Sequence, residues 1–213
     1  MSMKMSESLY RIRHTWHAVG IPTRYKKRKA WLTGSQVETI LGLAGRTSPR
    51  DYAMMTLMRW GLRVGEIVGC EGLPGIHLED IRSEGIWVKG KGYKAGIVQD
   101  SLVPMPANVI KLVRQYSSNL KPGDKVFPIS ERQAERIVKN YAKLSEIEDW
   151  RLIGPHRLRA FFATDAKDKG KDGLMIKDLM RHKNLATTEI YVGRASPQTL
   201  RRVVEELAEQ VVS

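Results

Sequence analysis

Apolar residues recur at helical spacing over most of the chain. Val37, Ile40, Leu41 and Ala44 share one face of a predicted helix ending near Gly45. Thr33-Gly-Ser-Gln36 is a capping signature at its start, with Ser35 and Glu38 offering a second register. Ser48-Pro49 opens the next predicted helix, 50–60, whose Met54, Met55, Leu57 and Met58 read as core. Gly61 is expected just past its end, where a left-handed residue closes a helix. A third helix is expected to start at once with Leu62-Arg63-Val64-Gly65-Glu66-Ile67.

Between residues 76 and 103 the period changes from helical to alternating. Ile76 to Ile81, Ile86 to Lys89 and Ile97 to Val103 read as strands, and Gly90-Lys91-Gly92 reads as a tight turn. A small three-stranded antiparallel sheet follows, with Lys91 near a hairpin tip. After Pro104 the helical pattern returns. Helices are predicted at 106–119, from the Ser130/Gln133 capping box to about Leu144, and near 155–169, 173–182 and 186–193. Ser196-Pro197 then caps a terminal helix with Leu200, Val203, Val204, Leu207 and Val211 on one face. The expected fold class is α+β, mainly α-helical. Three parts are expected: an arm over 1–30, a compact domain over 31–195 opened by Trp31, and the amphipathic tail 196–213.

Charge narrows the partner. The 213 residues hold 36 Lys and Arg against 23 Asp and Glu, a net +13. Such an excess favours a polyanion, and nucleic acid first. It is concentrated at the front, where residues 1–31 carry eight Lys/Arg and one acid, Glu7. Arg24, Lys26, Lys27, Arg28 and Lys29 form the densest run, expected to touch DNA phosphates. The apolar tail is slightly acidic, so it is expected to pack on its own domain or on a neighbouring subunit rather than on DNA. There is one cysteine, Cys70, and no Cys/His set at zinc spacing. No apolar run reaches transmembrane length, and no signal-peptide pattern opens the chain. A cytoplasmic, DNA-associated protein is expected, with no metal, no cofactor and no membrane partner.

Cutting a phosphodiester without a metal needs fixed positive charge on the non-bridging oxygens, a nucleophile, and a proton for the leaving sugar oxygen. Arginine suits the first role because it is planar, bidentate and always charged. The chain offers Arg63 and Arg159 as clamps, Lys91 as donor, His156 and His182, and Tyr191. His156 and Arg159 stand at i and i+3 and share a helix face. Spacing alone does not bring Arg63 to Arg159. Lys89 and Lys94 rival Lys91, and both are also candidate DNA contacts. His14, His17 and His77 are left as structural, and Glu66 as a structural or supporting residue.

In this order the motifs resemble the catalytic domain of the tyrosine recombinases, the phage-integrase and Xer group. Gly61-Leu62-Arg63-Val64-Gly65-Glu66 is similar to that family's first arginine box, and Lys89-Gly90-Lys91-Gly92-Tyr93-Lys94 to its hairpin lysine motif. His156-Arg157-Leu158-Arg159 matches H-x-L-R, Arg181-His182 sits at a Gly-His position, and Thr187-Thr188-Glu189-Ile190-Tyr191 matches T-T-x-x-Y. The resemblance spans roughly residues 31–195. It implies that Tyr191 attacks the scissile phosphate to give a 3′-phosphotyrosyl link and a free 5′-hydroxyl. It further implies that Arg63 and Arg159 hold the non-bridging oxygens, Lys91 protonates the leaving 5′-oxygen, His156 helps accept the tyrosine proton, and His182 bonds the phosphate. Ala160 stands where many relatives have histidine, and Met180-Arg181 replaces Leu-Gly, adding a charge expected to touch DNA. Relatives carry a helical DNA clamp before this domain, where about 30 residues precede Trp31 here. A minimal protein or a truncation is expected, with weak, salt-sensitive binding through the arm.

Three functions fit these residues. The first is site-specific strand exchange, on double-stranded DNA, by subunits that self-associate through the terminal helix as a dimer or tetramer. The second is nicking and closing of the type IB topoisomerase kind. The third is DNA binding that regulates a full-length recombinase, without cleavage.

Overall fold

The computed structural model describes residues 31–89 and 101–181. Its elements run in the order α1 Gly34–Thr47, α2 Pro49–Arg59, α3 Val64–Val68, β1 Gly85–Val88, β2 Ser101–Pro104, α4 Ala107–Tyr116, α5 Glu131–Leu144, α6 Pro155–Asp168 and α7 Gly173–Leu179. Short 3₁₀ turns stand at Leu78–Asp80 and Trp150–Leu152. The arm, the hairpin tip, the 186–193 helix and the tail lie outside the described residues.

Local chemistry sets the helix starts. At α1 the Thr33/Gln36 register of the capping box forms, with Gln36 Oε1 accepting from the Thr33 N–H at 3.0 Å. Ser130 and Gln133 close the same box on α5. Ser48 caps α2, and Pro49 sits in its first turn. The predicted 106–119 helix runs Ala107–Tyr116, with Pro106 just before it at the N-cap position.

Helix α2 is the centre of the molecule. Met54, Met55, Leu57 and Met58 are completely buried, as the sequence pattern requires. A helix apolar on so many sides needs neighbours all round, and α1, α4 and α6 pack against it. Each of these side chains contributes about 1.5–3 kcal/mol by leaving water. Gly61 follows with φ +93°, the left-handed conformation expected there. A Cβ at Gly61 would also stand 3.3 Å from the Phe162 ring of α6. That close approach lets the chain turn directly beneath α6 before Arg63.

The sheet has two strands among the described residues, not the three expected. Gly85 pairs with Pro104, Ile86 with Val103, Trp87 with Leu102 and Val88 with Ser101, all antiparallel. Ile76 to Ile81 alternates like a strand but bends into the Leu78–Asp80 turn. The Asp80 carboxylate accepts the His77 N–H at 2.9 Å, so a side chain takes the donor that a ladder would use. Only single bridges remain, His77 to Lys125 and Ile81 to Ile86. The His77 ring nitrogen Nδ1 also lies 3.9 Å from Asp80 Oδ2.

At Gly85 a Cβ would fall 2.1 Å from the Val103 carbonyl oxygen of the facing strand. Gly85→Ala must push backbone, not a flexible side chain. A loss of about 1–3 kcal/mol in urea denaturation is expected; an unchanged midpoint would show that the strands separate freely.

Helix α6 belongs to two apolar clusters. Leu158 and Phe161 join the main core, whereas Phe162, Ala163 and Ala166 pack with Ile176 and Met180 of the α7 region. This fixes α6, and the His156 and Arg159 it carries, between the end of α2 and the end of α7.

Candidate active site: an arginine cluster on one buried carboxylate

Three separate segments converge on Glu66. Arg63 is the N-cap of α3, and Glu66 stands three residues on. Glu66 Oε2 accepts the Arg63 N–H at 2.7 Å, as the acidic partner in a capping box does. Its Oε1 accepts from Arg63 Nη1 at 2.8 Å. From the end of α7, Arg181 Nη2 donates to Oε2 at 2.6 Å. From α6, Arg159 Nη1 lies 3.8 Å from Oε2. The Glu66 side chain is 1% exposed. Burial raises its pKa most strongly, but Arg181, the Arg63 N–H, and the Arg63 and Arg159 charges together outweigh burial and hold the carboxyl below its ordinary range.

The two expected clamps therefore meet, with different exposure. Arg63 keeps about a third of its side chain open to solvent (36%), while Arg159 keeps 4%. Arg159 is bound to the backbone: Nη1 donates to the Gly61 carbonyl at 2.6 Å and Nη2 to the Met180 carbonyl. Arg63 Nη2 donates to the Arg181 carbonyl at 3.2 Å. The turn at 180–181 thus accepts from both guanidinium groups.

His156, in the first turn of α6, is exposed. Partial desolvation, then the positive charges of Arg157, Arg159 and Arg63, lower its pKa, so it is biased to the neutral, proton-accepting form. His156 stands three residues before Arg159 on α6, so the two share one side of that helix. His156 and Arg157 also line an open groove of about 530 Å³, together with Glu131, Arg132, Glu135 and Lys139 of α5. Arg157 additionally lies over the Trp31 ring, 5.5 Å from its centroid.

Arg181, expected as a DNA contact, turns inward instead: its side chain is 17% exposed and paired with Glu66. Its φ is +52°, a conformation that glycine adopts without strain. Burial lowers the Arg181 pKa, and Glu66 opposes this. Lys89 follows β1 and is exposed. Lys91, Lys94, His182, Tyr191 and the residues Arg24 to Lys29 lie outside the described residues. Glu66 proves more central than its sequence position suggested. The available signal was its place three residues after Arg63, the acidic half of a capping box.

Comparison with known proteins agrees with this geometry. Residues 30–197 match the sequence profile of the phage integrase family. The chain is 31% identical over 172 residues to a tyrosine recombinase of Pseudothermotoga lettingae, covering 76% of this chain and 55% of that protein. It is 34% identical over 188 residues to the tyrosine recombinase XerD of Vibrio cholerae, covering 80% of this chain and 58% of that one. The chain thus spans little more than half the length of these curated relatives. In fold it is similar to the XerA recombinase, with TM-score 0.65, 22% identity, and 92% of this chain and 72% of that one covered. It is likewise similar to the Tn1549 transposon integrase solved in complex with transposon right end DNA, with TM-score 0.66, 20% identity, and 87% and 68% covered. A profile match over most of the length, on a fold that gathers Arg63, Arg159 and His156, places the chain in the phage integrase family.

Proposed function

We propose that this chain catalyses site-specific cleavage and rejoining of DNA strands through a 3′-phosphotyrosyl intermediate on Tyr191. The observation that carries the reading is the convergence of Arg63, from the turn after α2, with His156 and Arg159 of α6. Family membership and a transposon integrase neighbour solved with DNA support it. So does the net charge of +13.

The Tyr191 oxygen attacks the scissile phosphorus while the bond to the 5′-oxygen breaks. The tyrosine proton passes to His156, whose neutral form partial desolvation and then the neighbouring arginines favour. Free tyrosine has a pKa of about 10, so this transfer is needed at neutral pH. Lys91 returns a proton to the leaving 5′-oxygen, and His182 bonds a phosphate oxygen. Arg63, the more exposed clamp, offers its guanidinium to the non-bridging oxygens, and buried Arg159 adds fixed charge behind it. The reverse attack by a 5′-hydroxyl rejoins the strand with no external energy source, because the phosphotyrosyl link keeps the bond. The basic arm, with Lys89 and Lys94, adds phosphate contacts, and residues 196–213 join subunits on DNA. These roles belong to a DNA-associated cytoplasmic protein.

A nicked suicide duplex, its sequence selected from a random library by binding to the chain, tests this. Wild type is expected to form a covalent protein–DNA adduct and Tyr191→Phe none. Absence of adduct on every selected duplex would leave a DNA-binding regulator. Relaxation of supercoiled plasmid without any sequence requirement would point to a topoisomerase-like enzyme.

A further inference from the structure

We infer that Arg181 is a positioning residue for the phosphate site: its guanidinium occupies Glu66 Oε2 and its carbonyl ties Arg63 Nη2, so that the partly exposed Arg63 guanidinium is held toward DNA. The inference rests on the strand-cleavage reading for its kinetic consequence and on the geometry alone for its structural one.

Arg181 reaches Arg63 by two routes. Its guanidinium makes the shortest contact to Glu66, 2.6 Å to Oε2, while Arg63 Nη1 occupies Oε1 at 2.8 Å. Its carbonyl accepts directly from Arg63 Nη2 at 3.2 Å. Arg63, Glu66 and Arg181 therefore form a closed ring, in which the side chain and the main chain of Arg181 both take part. The next carbonyl back, Met180, accepts from Arg159, and the Met180 side chain is buried with Ile176 and Ala163. One turn is thus the shared reference for both clamps.

The backbone conformation supports a selected contact. A φ of +52° is strained for arginine and natural for glycine. Strain of this kind persists where surrounding contacts over-determine it. Here the compensating contact is the buried ion pair with Glu66, whose side chain is 1% exposed.

The electrostatic consequence concerns how Arg63 divides its donors. A carboxylate has two oxygens, and Arg181 bonds one of them, Oε2, at 2.6 Å. Without Arg181, Oε2 is open to a second donor from Arg63, already bonded there through its N–H. A bidentate pairing of Arg63 on Glu66 turns the guanidinium inward, away from the phosphate. Arg181 prevents that collapse, so its loss acts on the chemical step more than on DNA affinity.

Arg181→Gly and Arg181→Lys test this in the full chain. Glycine suits the backbone, so Arg181→Gly is expected to fold. Adduct formation at saturating nicked DNA should slow about tenfold or more, with DNA affinity changed less than about twofold. Millimolar guanidinium should restore part of the rate in Arg181→Gly and none in wild type. Arg181→Lys, which keeps the charge without the planar fork, should fall between the two and serves if the glycine variant does not fold. In the DNA-free protein, the Arg63 guanidinium signals in ¹⁵N NMR should be protected from solvent exchange in wild type and changed in both variants. Unchanged adduct rates in both variants would overturn the inference. So would weaker binding with a normal rate at saturation, which would make Arg181 a DNA contact. If wild type forms no adduct, the strand-cleavage reading fails, and the NMR comparison still decides this one: unaltered Arg63 signals refute it.

Discussion

Arg159→Ala is expected to lose covalent capture of nicked DNA by a factor of about 10³ and to lose fold stability as well. The two losses have one origin. Arg159 is 4% exposed and donates to the Gly61 and Met180 carbonyls, so its removal strands two buried acceptors. Each orphaned acceptor costs about 1–3 kcal/mol, giving about 2–6 kcal/mol together. The same bonds hold the end of α2 to the end of α7, so both the turn before Arg63 and the turn carrying Arg181 loosen at once. Removal of one preorganised cationic donor accounts for a catalytic loss of about 10²–10³, and the displaced Arg63 adds to it. Arg159→Lys keeps the charge but has a single nitrogen to share between two carbonyls. It is expected to recover part of the stability and little of the cleavage. The urea midpoint of Arg159→Ala decides the structural half: a value equal to wild type would mean that Arg159 is not a structural tie. Adduct yield decides the catalytic half.

The sequence made some of this visible and hid the rest for physical reasons. Helix starts were legible because capping is local: Thr33 with Gln36 and Ser130 with Gln133 need no distant partner. The four apolar side chains of α2 and the positive φ of Gly61 were legible for the same reason. Ile76 to Ile81 misled because its alternation is genuine, but the Asp80 carboxylate takes the His77 N–H that a strand would need. In the site, residue types marked Arg63, His156 and Arg159 as candidates. Their meeting depended on α6 packing against α2, which no spacing encodes. Arg181 was the hardest to read. A surplus cation beside a DNA site looks like a DNA contact until its left-handed backbone and the buried Glu66 turn it inward. Glu66 was legible as a structural or supporting residue, but not as a shared partner, because Arg63 is close in sequence and Arg159 and Arg181 are not.

Glu66→Gln is expected to be the most destabilising single substitution of nearly equal volume in the site. Glutamine keeps the size but removes the negative charge that Arg63, Arg159 and Arg181 share. Breaking a buried ion pair by deleting one partner costs about 3–5 kcal/mol, because the remaining charge is left uncompensated. Here several guanidinium groups are left. The pH dependence carries the signature of the cause. Burial pulls the Glu66 pKa up, but Arg181, the Arg63 N–H, Arg63 and Arg159 pull it down further, so the folded pKa lies below the ordinary value of 4.5. The unfolded chain therefore binds the proton more readily than the folded one. The stabilisation is complete above the unfolded pKa and is lost as pH falls through the folded one. Wild type and Glu66→Gln should differ by a constant amount at neutral pH, and the gap should narrow on acidification below the unfolded pKa. Urea midpoints of both proteins from pH 7 to pH 3 measure it. A gap that stayed constant through that range would mean the carboxylate charge is not what stabilises the site. Equal midpoints at pH 7 would mean that the three arginines need no counter-charge. Either result would remove the reason for Arg63 to stand poised at the surface, since its position depends on a carboxylate that is both charged and fully shared.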